Sequence, residues 1–304
     1  MNPVINVIEE YELTELPSSF GSASLAAAGS GIAMAWQGSV GGVPDSIWHA
    51  TFSARKGWSE SRQVATAADG KQCWDPAVHA TATGGQYIFY AVGAAGEGRP
   101  AAGLQGMVAS GKRPGAPRPL PEGVLGPQRS GQGVKRRHEV LFVTHDQPIR
   151  IDAVTPTYRK WATVATIEGA RFDPIEPSLC SCGDGFVLLC RSGCGNLVEI
   201  WSHDQGETWD PPRRSRLPNP GSKVEAITLK DDRILLVYNH STEGRRPLNV
   251  ALYQHETWIQ GPVLAQGEGQ FSFPAAAQSA DGLVHVVFAD GSRDRARHLV
   301  MQLT

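Results

Sequence analysis

The chain has 304 residues, with 28 Lys and Arg against 30 Asp and Glu and no long block of either sign, which argues against a nucleic-acid footprint. No apolar run approaches the length of a membrane span, so a membrane is not an expected partner either. The N-terminus, Met1-Asn2-Pro3-Val4, has neither a basic n-region nor an apolar h-region, and the expectation is an intracellular, cytoplasmic protein.

Val4-Ile5-Asn6-Val7-Ile8 reads as a strand. Strand runs then recur at Gly31-Ile32-Ala33-Met34-Ala35-Trp36, Gln86-Tyr87-Ile88-Phe89-Tyr90, Val140-Leu141-Phe142-Val143, Phe186-Val187-Leu188-Leu189, Arg233-Ile234-Leu235-Leu236-Val237-Tyr238 and Leu283-Val284-His285-Val286-Val287-Phe288. Their β-branched and aromatic content, bounded by turns such as Asp184-Gly185 and Asp281-Gly282, is the strand signal. Trp161, Trp209 and Trp258 are 48 and 49 residues apart, and Trp58 lies 103 residues before Trp161, about two periods. Each of these Trp residues ends a turn, and the missing copy belongs near Ser110-Gly111-Lys112. A period near fifty with two or more strands per unit means propeller blades. The expected fold is all-β, a six-bladed β-propeller filling 1–304 as a single domain. The N-terminal strand is expected to close the last blade beside His298-Leu299-Val300-Met301. A two-sheet sandwich would leave the Trp period unexplained.

The fullest copy of the turn is Ser202-His203-Asp204-Gln205-Gly206-Glu207-Thr208-Trp209. In such a hairpin staple the Asp accepts hydrogen bonds from turn N–H groups, the Gly permits a positive φ and the Trp packs between neighbouring sheets. This S-x-D-x-G-x-T-W pattern resembles the Asp-box of sialidases and related propellers. From about Leu125 onward the chain resembles sialidase-like proteins with BNR repeats.

The resemblance implies site residues. Glu176-Pro177-Ser178-Leu179 followed by Arg191 resembles the segment that supplies an acidic residue and then an arginine. Arg245-Arg246-Pro247-Leu248 resembles the family's R-x-x-L. Arg191 and Arg245 would thus be two of the three arginines that clamp a carboxylate, a task suited to planar guanidinium forks. The N-terminal clamp arginine is absent, because the first basic residue of the chain is Arg55. The family's nucleophilic Tyr is matched by Phe273, which has no hydroxyl. Asp45 is a loose match to the family's acid/base residue.

X-Pro steps at Asp75-Pro76, Gly126-Pro127, Glu176-Pro177, Asn219-Pro220 and Phe273-Pro274 are expected to start the innermost strands, where Pro suits a first residue. That places Trp74, Asp75, Gln128, Glu176, Ser222, Glu225 and Phe273 at the channel mouth. Trp36, Arg191, Tyr238, Asn239 and Arg245 are expected from loops just above. Five Cys are present, four of them between Cys180 and Cys194. Cys-x-Cys is not the usual zinc spacing, and buried thiols fit better. His79, His240 and His285 are too scattered for a metal, so no metal and no cofactor is expected. Lys135-Arg136-Arg137-His138 reads as a solvated hairpin turn. Gly96-Glu97-Gly98-Arg99-Pro100 and the Pro-rich run from Lys112 read as long turns.

Three functions follow. The first is a repurposed enzyme catalysing a non-hydrolytic step, a cyclisation, cycloaddition or elimination, on a small biosynthetic intermediate. There Arg191, Arg245 or Tyr238 polarises a carbonyl while Glu176 or Asp75 moves a proton. The second is an exo-glycosidase or lyase for acidic sugars. The third is a non-catalytic propeller that binds a glycan or a protein. The partner in the first two is a small-molecule substrate. Oligomeric state is not readable.

Overall fold

The computed structural model describes the chain except residues 1–3, 14–15, 17–18, 41–42, 68–69, 82–84, 95–103, 111–112, 115–117, 121–132, 145–146, 156–158, 169–170 and 292–294. The worn box near 111–112 and the long turn at 96–100 lie outside the described residues. The described strands form six antiparallel sheets, here called blades 1 to 6, taken in turn along the chain. After β1 (Ile5–Leu13), blade 1 holds β2 (Ala23–Ala28), β3 (Gly31–Val40), β4 (Val43–Ser53), β5 (Gly57–Trp58) and β6 (Arg62–Thr66). Blade 2 holds β7 (Lys71–Ala80), β8 (Gln86–Ala94), β9 (Leu104–Ser110), β10 (Arg113–Pro114) and β11 (Arg118–Pro119). Blade 3 holds β12 (Val134–Arg136), β13 (Glu139–Val143), β14 (Ile149–Val154) and β15 (Trp161–Ile167). Blade 4 holds β16 (Ile175–Cys182), β17 (Gly185–Arg191), β18 (Asn196–Ser202) and β19 (Arg213–Pro218). Blade 5 holds β20 (Glu225–Thr228), β21 (Ile234–Asn239), β22 (Leu248–Gln254) and β23 (Thr257–Ala265). Blade 6 holds β24 (Phe271–Gln278), β25 (Val284–Asp290) and β26 (Arg295–Leu303). β1 pairs with β26, Ile5 opposite Leu303 and Tyr11 opposite His298. The propeller closes as the sequence implies, and this pairing covers the edge that β26 would otherwise expose.

The core is a set of layers between blades. Six apolar clusters occupy the six junctions between consecutive blades, including the junction of blade 6 with blade 1. Successive residues of a strand serve opposite layers because side chains alternate across a pleated sheet. In β17, Phe186, Leu188 and Cys190 face blade 3 while Val187 and Leu189 face blade 5. Both faces are buried, so these strands read as continuous apolar runs. The same alternation separates the cysteines: Cys180 lies in the layer between blades 4 and 5, and Cys190 in that between blades 3 and 4. Burial pushes both thiols up. Among the described residues no group of three or more His, Cys, Asp and Glu could hold a metal ion, and no helix is long and apolar enough to cross a membrane.

Each periodic Trp packs against the preceding blade. Trp58 meets His298 of blade 6, Trp161 meets Phe89 of blade 2, and Trp209 joins the layer between blades 3 and 4. Trp258 donates its indole N–H to Glu199 of blade 4 at 3.0 Å. The full box is built as its sequence implies. Asp204 Oδ1 accepts from Thr208 N at 2.9 Å, Gly206 N donates to Ser202 Oγ at 2.8 Å, and Gly206 has φ 82°. Gly185, which opens β17, has no room for a side chain, since a Cβ there would lie 2.0 Å from the Ser202 carbonyl. Lys135 and Arg136 end β12, with Arg137 and His138 in the turn to β13, as expected for a hairpin.

The closing seam carries a buried histidine pair. His285 Nδ1 and His298 Nε2 lie 3.0 Å apart, and His285 Nε2 meets Ser279 Oγ at 3.1 Å. Burial lowers both pKa values, that of His298 to about 3. Folded protein holds them neutral, whereas unfolded chain takes up protons near the usual value of about 6.5. Below that pH the unfolded state binds more protons, so the stability linked to His298 falls as pH drops from about 6.5 toward 3, by about 1.4 kcal/mol per pH unit, and the lowered pKa of His285 acts in the same direction. The melting temperature of His298→Phe should therefore depend less steeply on pH over this window than that of the parent. Parallel curves would remove the histidines from the acid response.

Candidate functional site

Three innermost strands share a local irregularity. Asp75, Glu176 and Phe273 each precede a Pro and have φ of 50°, 52° and 53°. At each, the register with the next strand slips, between Trp74 and Ala77, Ile175 and Ser178, and Ser272 and Ala275. These are β-bulges, which re-aim a side chain and twist the strand. A left-handed non-glycine residue costs on the order of 1–3 kcal/mol and persists where the surroundings enforce it. The prolines thus sit at bulges inside strands and do not open them, a correction to the sequence expectation that still fits proline's missing N–H. All three bulge residues are nearly buried, at 3%, 4% and 8% exposure.

Asn219-Pro220 needs a larger correction. β20 begins only at Glu225, and residues 219–224 connect blades 4 and 5. Asn219 Oδ1 accepts from Ser222 N at 2.9 Å, an Asx-type turn. Ser222 Oγ donates to Asn239 Oδ1 at 2.7 Å, and Asn239 Nδ2 reaches the carbonyls of Phe271 at 3.1 Å and Pro247 at 3.3 Å. Ser222 and Asn239 therefore brace the junction of blades 5 and 6. Gln128 and the Gly126-Pro127 step lie outside the described residues.

A chain of polar contacts crosses blades 4, 5 and 6. Arg191, at the end of β17, donates to Glu176 Oε1 at 2.9 Å and to the Gly221 carbonyl at 2.9 Å. Lys223 donates to the Pro274 carbonyl at 2.8 Å and lies 3.5 Å from Glu225 Oε2, both side chains being 3% exposed. The Arg245 guanidinium carbon lies 5.4 Å from the centre of the Phe273 ring, a cation–π contact. The Arg245 carbonyl accepts from Phe271 N at 2.8 Å, which fixes the Arg245 loop to blade 6. Among the described residues, two carboxylates, Glu176 and Glu225, and three cations, Arg191, Lys223 and Arg245, are thus gathered along blades 4 to 6.

The other candidates lie elsewhere. Tyr238, Asn239 and Trp36, expected from loops, are strand residues with no exposed surface. Tyr238 packs in the layer between blades 4 and 5, burial raises its pKa, and its hydroxyl meets His240 Nδ1. Trp36 stacks on Trp48 in the apolar layer between blades 6 and 1. Trp74 is half-buried beside the Asp75 bulge. Asp45 lies in β4; burial first, and then the charge of Asp45, pushes up the Cys73 thiol in blade 2. Lys223 was not anticipated, although it stands between Ser222 and Glu225, which the Asn219-Pro220 step had selected.

The fold is shared with solved structures of low identity. A protein of unknown function from Dyadobacter fermentans DSM 18053 matches with a TM-score of 0.78 at 15% identity, over 99% of each chain. The K499G mutant of NanB sialidase from Streptococcus pneumoniae matches with a TM-score of 0.75 at 12% identity, over 100% of this chain and 71% of that one. Trypanosoma rangeli sialidase matches with a TM-score of 0.72 at 11% identity, over 93% of this chain and 54% of that one, so the present chain spans about half of it. No curated protein matches by sequence. Residues 31–286 match the BNR repeat-like domain model, and the chain belongs to that family of β-propellers.

Proposed function

We propose that the junction of blades 4 to 6 binds a small molecule bearing a carboxylate or an acidic carbonyl, and that the protein acts on it by a non-hydrolytic step. The observation that carries this reading is Phe273 under the Arg245 guanidinium. A phenyl ring cannot form a covalent glycosyl ester or ether, whereas it gives an apolar floor beside a cation. Arg191 and Arg245 hold the anionic group. Glu176, already paired with Arg191, accepts a proton from the carbon next to the carbonyl, and the C–H pair forms an enolate C=C as the carbonyl π pair moves to oxygen; when the carbonyl re-forms, the enolate either expels a substituent from the β carbon with its bonding pair, leaving a C=C bond, or attacks an electrophilic C=C carbon of the same molecule, whose π pair is then protonated, closing a ring. The arginines stabilise the negative charge that develops on oxygen.

A second reading has its own support. Asp75 and Glu176 occupy equivalent bulges on two innermost strands, and two carboxylates are what an inverting glycosidase or a lyase for acidic sugars uses. A panel of fluorogenic sialosides, related nonulosonic glycosides and glucuronides separates the two. Silence of well-folded protein supports the first reading. Turnover abolished by Glu176→Gln refutes it and establishes the second. A binding-only propeller would show ligand uptake with no product from any substrate class tested. Arg245→Ala should abolish activity or ligand binding with little change in melting temperature. Parallel loss of stability would make Arg245 a brace for blade 6.

A further inference from the structure

Asn239 closes β21 and has no exposed surface, a setting in which an amide must find its partners within the protein. Its side chain offers one carbonyl oxygen and two N–H donors. Oδ1 accepts from Ser222 Oγ at 2.7 Å, and Nδ2 donates to the Phe271 carbonyl at 3.1 Å and to the Pro247 carbonyl at 3.3 Å. These partners lie 17, 32 and 8 residues away in the chain. An apolar side chain here would deprive both carbonyls of this donor, and a carboxylate would set oxygen against each of them. The contacts therefore call for an amide.

Each partner belongs to a segment that carries part of the carboxylate-binding junction. Ser222 follows Gly221, whose carbonyl accepts from Arg191 at 2.9 Å. Pro247 is two residues past Arg245, and Phe271 is two residues before Phe273, whose ring the Arg245 guanidinium covers at 5.4 Å. Residues 240–247 join β21 to β22 without regular structure, and Thr242, Glu243 and Arg246 are exposed. A side chain on such a loop is placed less closely than one on a strand unless other bonds hold it. Two further bonds cross the junction, from Phe271 N to the Arg245 carbonyl and from Lys223 to the Pro274 carbonyl, each at 2.8 Å. Each of these joins one pair of segments, whereas Asn239 is bonded to all three. A buried polar network whose members are bonded in this way holds one arrangement.

We propose that Asn239 is a positioning residue. Its amide fixes the Arg245 loop and the Phe273 strand against the loop on which Arg191 rests, so that the two guanidiniums keep one separation. It touches no ligand itself. Two forks that grip one small anion need such control, since a misplacement of about 1 Å can cost on the order of a hundredfold in function. That use of the separation rests on the function proposed above. The separation itself does not, and it is tested without a ligand.

The test is nuclear magnetic resonance of the full chain with isotopically labelled arginine. The Phe273 ring shields the Arg245 side-chain protons that lie over it, and Arg245→Lys and Arg191→Lys assign the two arginine signals by their loss. In Asn239→Ala the Arg245 signal should lose most of its upfield shift. Ser222→Ala cuts the bond to Asn239 Oδ1 alone of the three. It should move the Arg191 guanidinium signal and leave that of Arg245, and Ser222→Thr, which keeps the hydroxyl, should restore the Arg191 signal. Trp209→Ala, which loosens the packing between blades 3 and 4, controls for general destabilisation and should leave both signals in place. An Arg245 signal unchanged in Asn239→Ala, or moved as far in Trp209→Ala, overturns the inference. Should Asn239→Ala fail to fold, the Ser222 variants decide: an Arg191 signal unmoved in Ser222→Ala, or moved equally in Ser222→Thr, overturns it.

Discussion

Lys223→Met is expected to destabilise the protein by about 3–5 kcal/mol, the cost of leaving a buried carboxylate without its cation. The partner is Glu225, 3.5 Å away and as buried as the lysine. The loss also removes the hydrogen bond from Nζ to the Pro274 carbonyl, one of the ties between blades 5 and 6. Denaturant unfolding of the single variant and of Lys223→Met/Glu225→Leu distinguishes the two contributions. Recovery of most of the stability in the double variant assigns the cost to the stranded charge, because replacing both partners by apolar groups is often neutral. Equal loss in both variants assigns it to the tie with Pro274. The contact also adjoins the proposed site, because Phe273 and Pro274 form the bulge that Arg245 covers.

Trp209→Ala is expected to cost about 3 kcal/mol, at the low end for a large aromatic because the ring is only half-buried. Its ring joins the layer between blades 3 and 4, and its indole N–H donates to the Gly206 carbonyl at 3.2 Å. The substitution therefore opens an inter-blade gap and loosens the hairpin staple together. Thermal unfolding should show a lower melting temperature with unchanged activity, since the box lies at the end of the blade away from Arg191. An unchanged melting temperature would remove Trp209 from the packing between blades.

The two expectations differ in how visible they are in sequence. Trp209 stands in a local pattern whose Ser202, Asp204, Gly206 and Thr208 bond to one another or to Trp209 within eight residues, so its role in the turn follows from spacing. Lys223 contacts Pro274 across 51 residues of chain, and nothing in its neighbourhood signals that meeting. Glu176 and Arg191 are intermediate cases. They lie on adjacent strands of one hairpin, and the family pattern placed them together before the distance of 2.9 Å was known. Tyr238 and Trp36 were expected from loops just above the channel mouth. The alternation of their strands instead turns them into the layers between blades.

The sequence by itself determined the architecture. Turn chemistry, Gly and Trp at a fixed period, and apolar runs buried on both faces are local signals, and they specify blades and the closure of β1 on β26. Tertiary structure alone decided which charges meet and how three X-Pro steps become bulges. Those outcomes depend on the facing surfaces of different blades. Lys223 reaches the Pro274 carbonyl only because the packing of blades 5 and 6 brings together residues 51 apart in the chain.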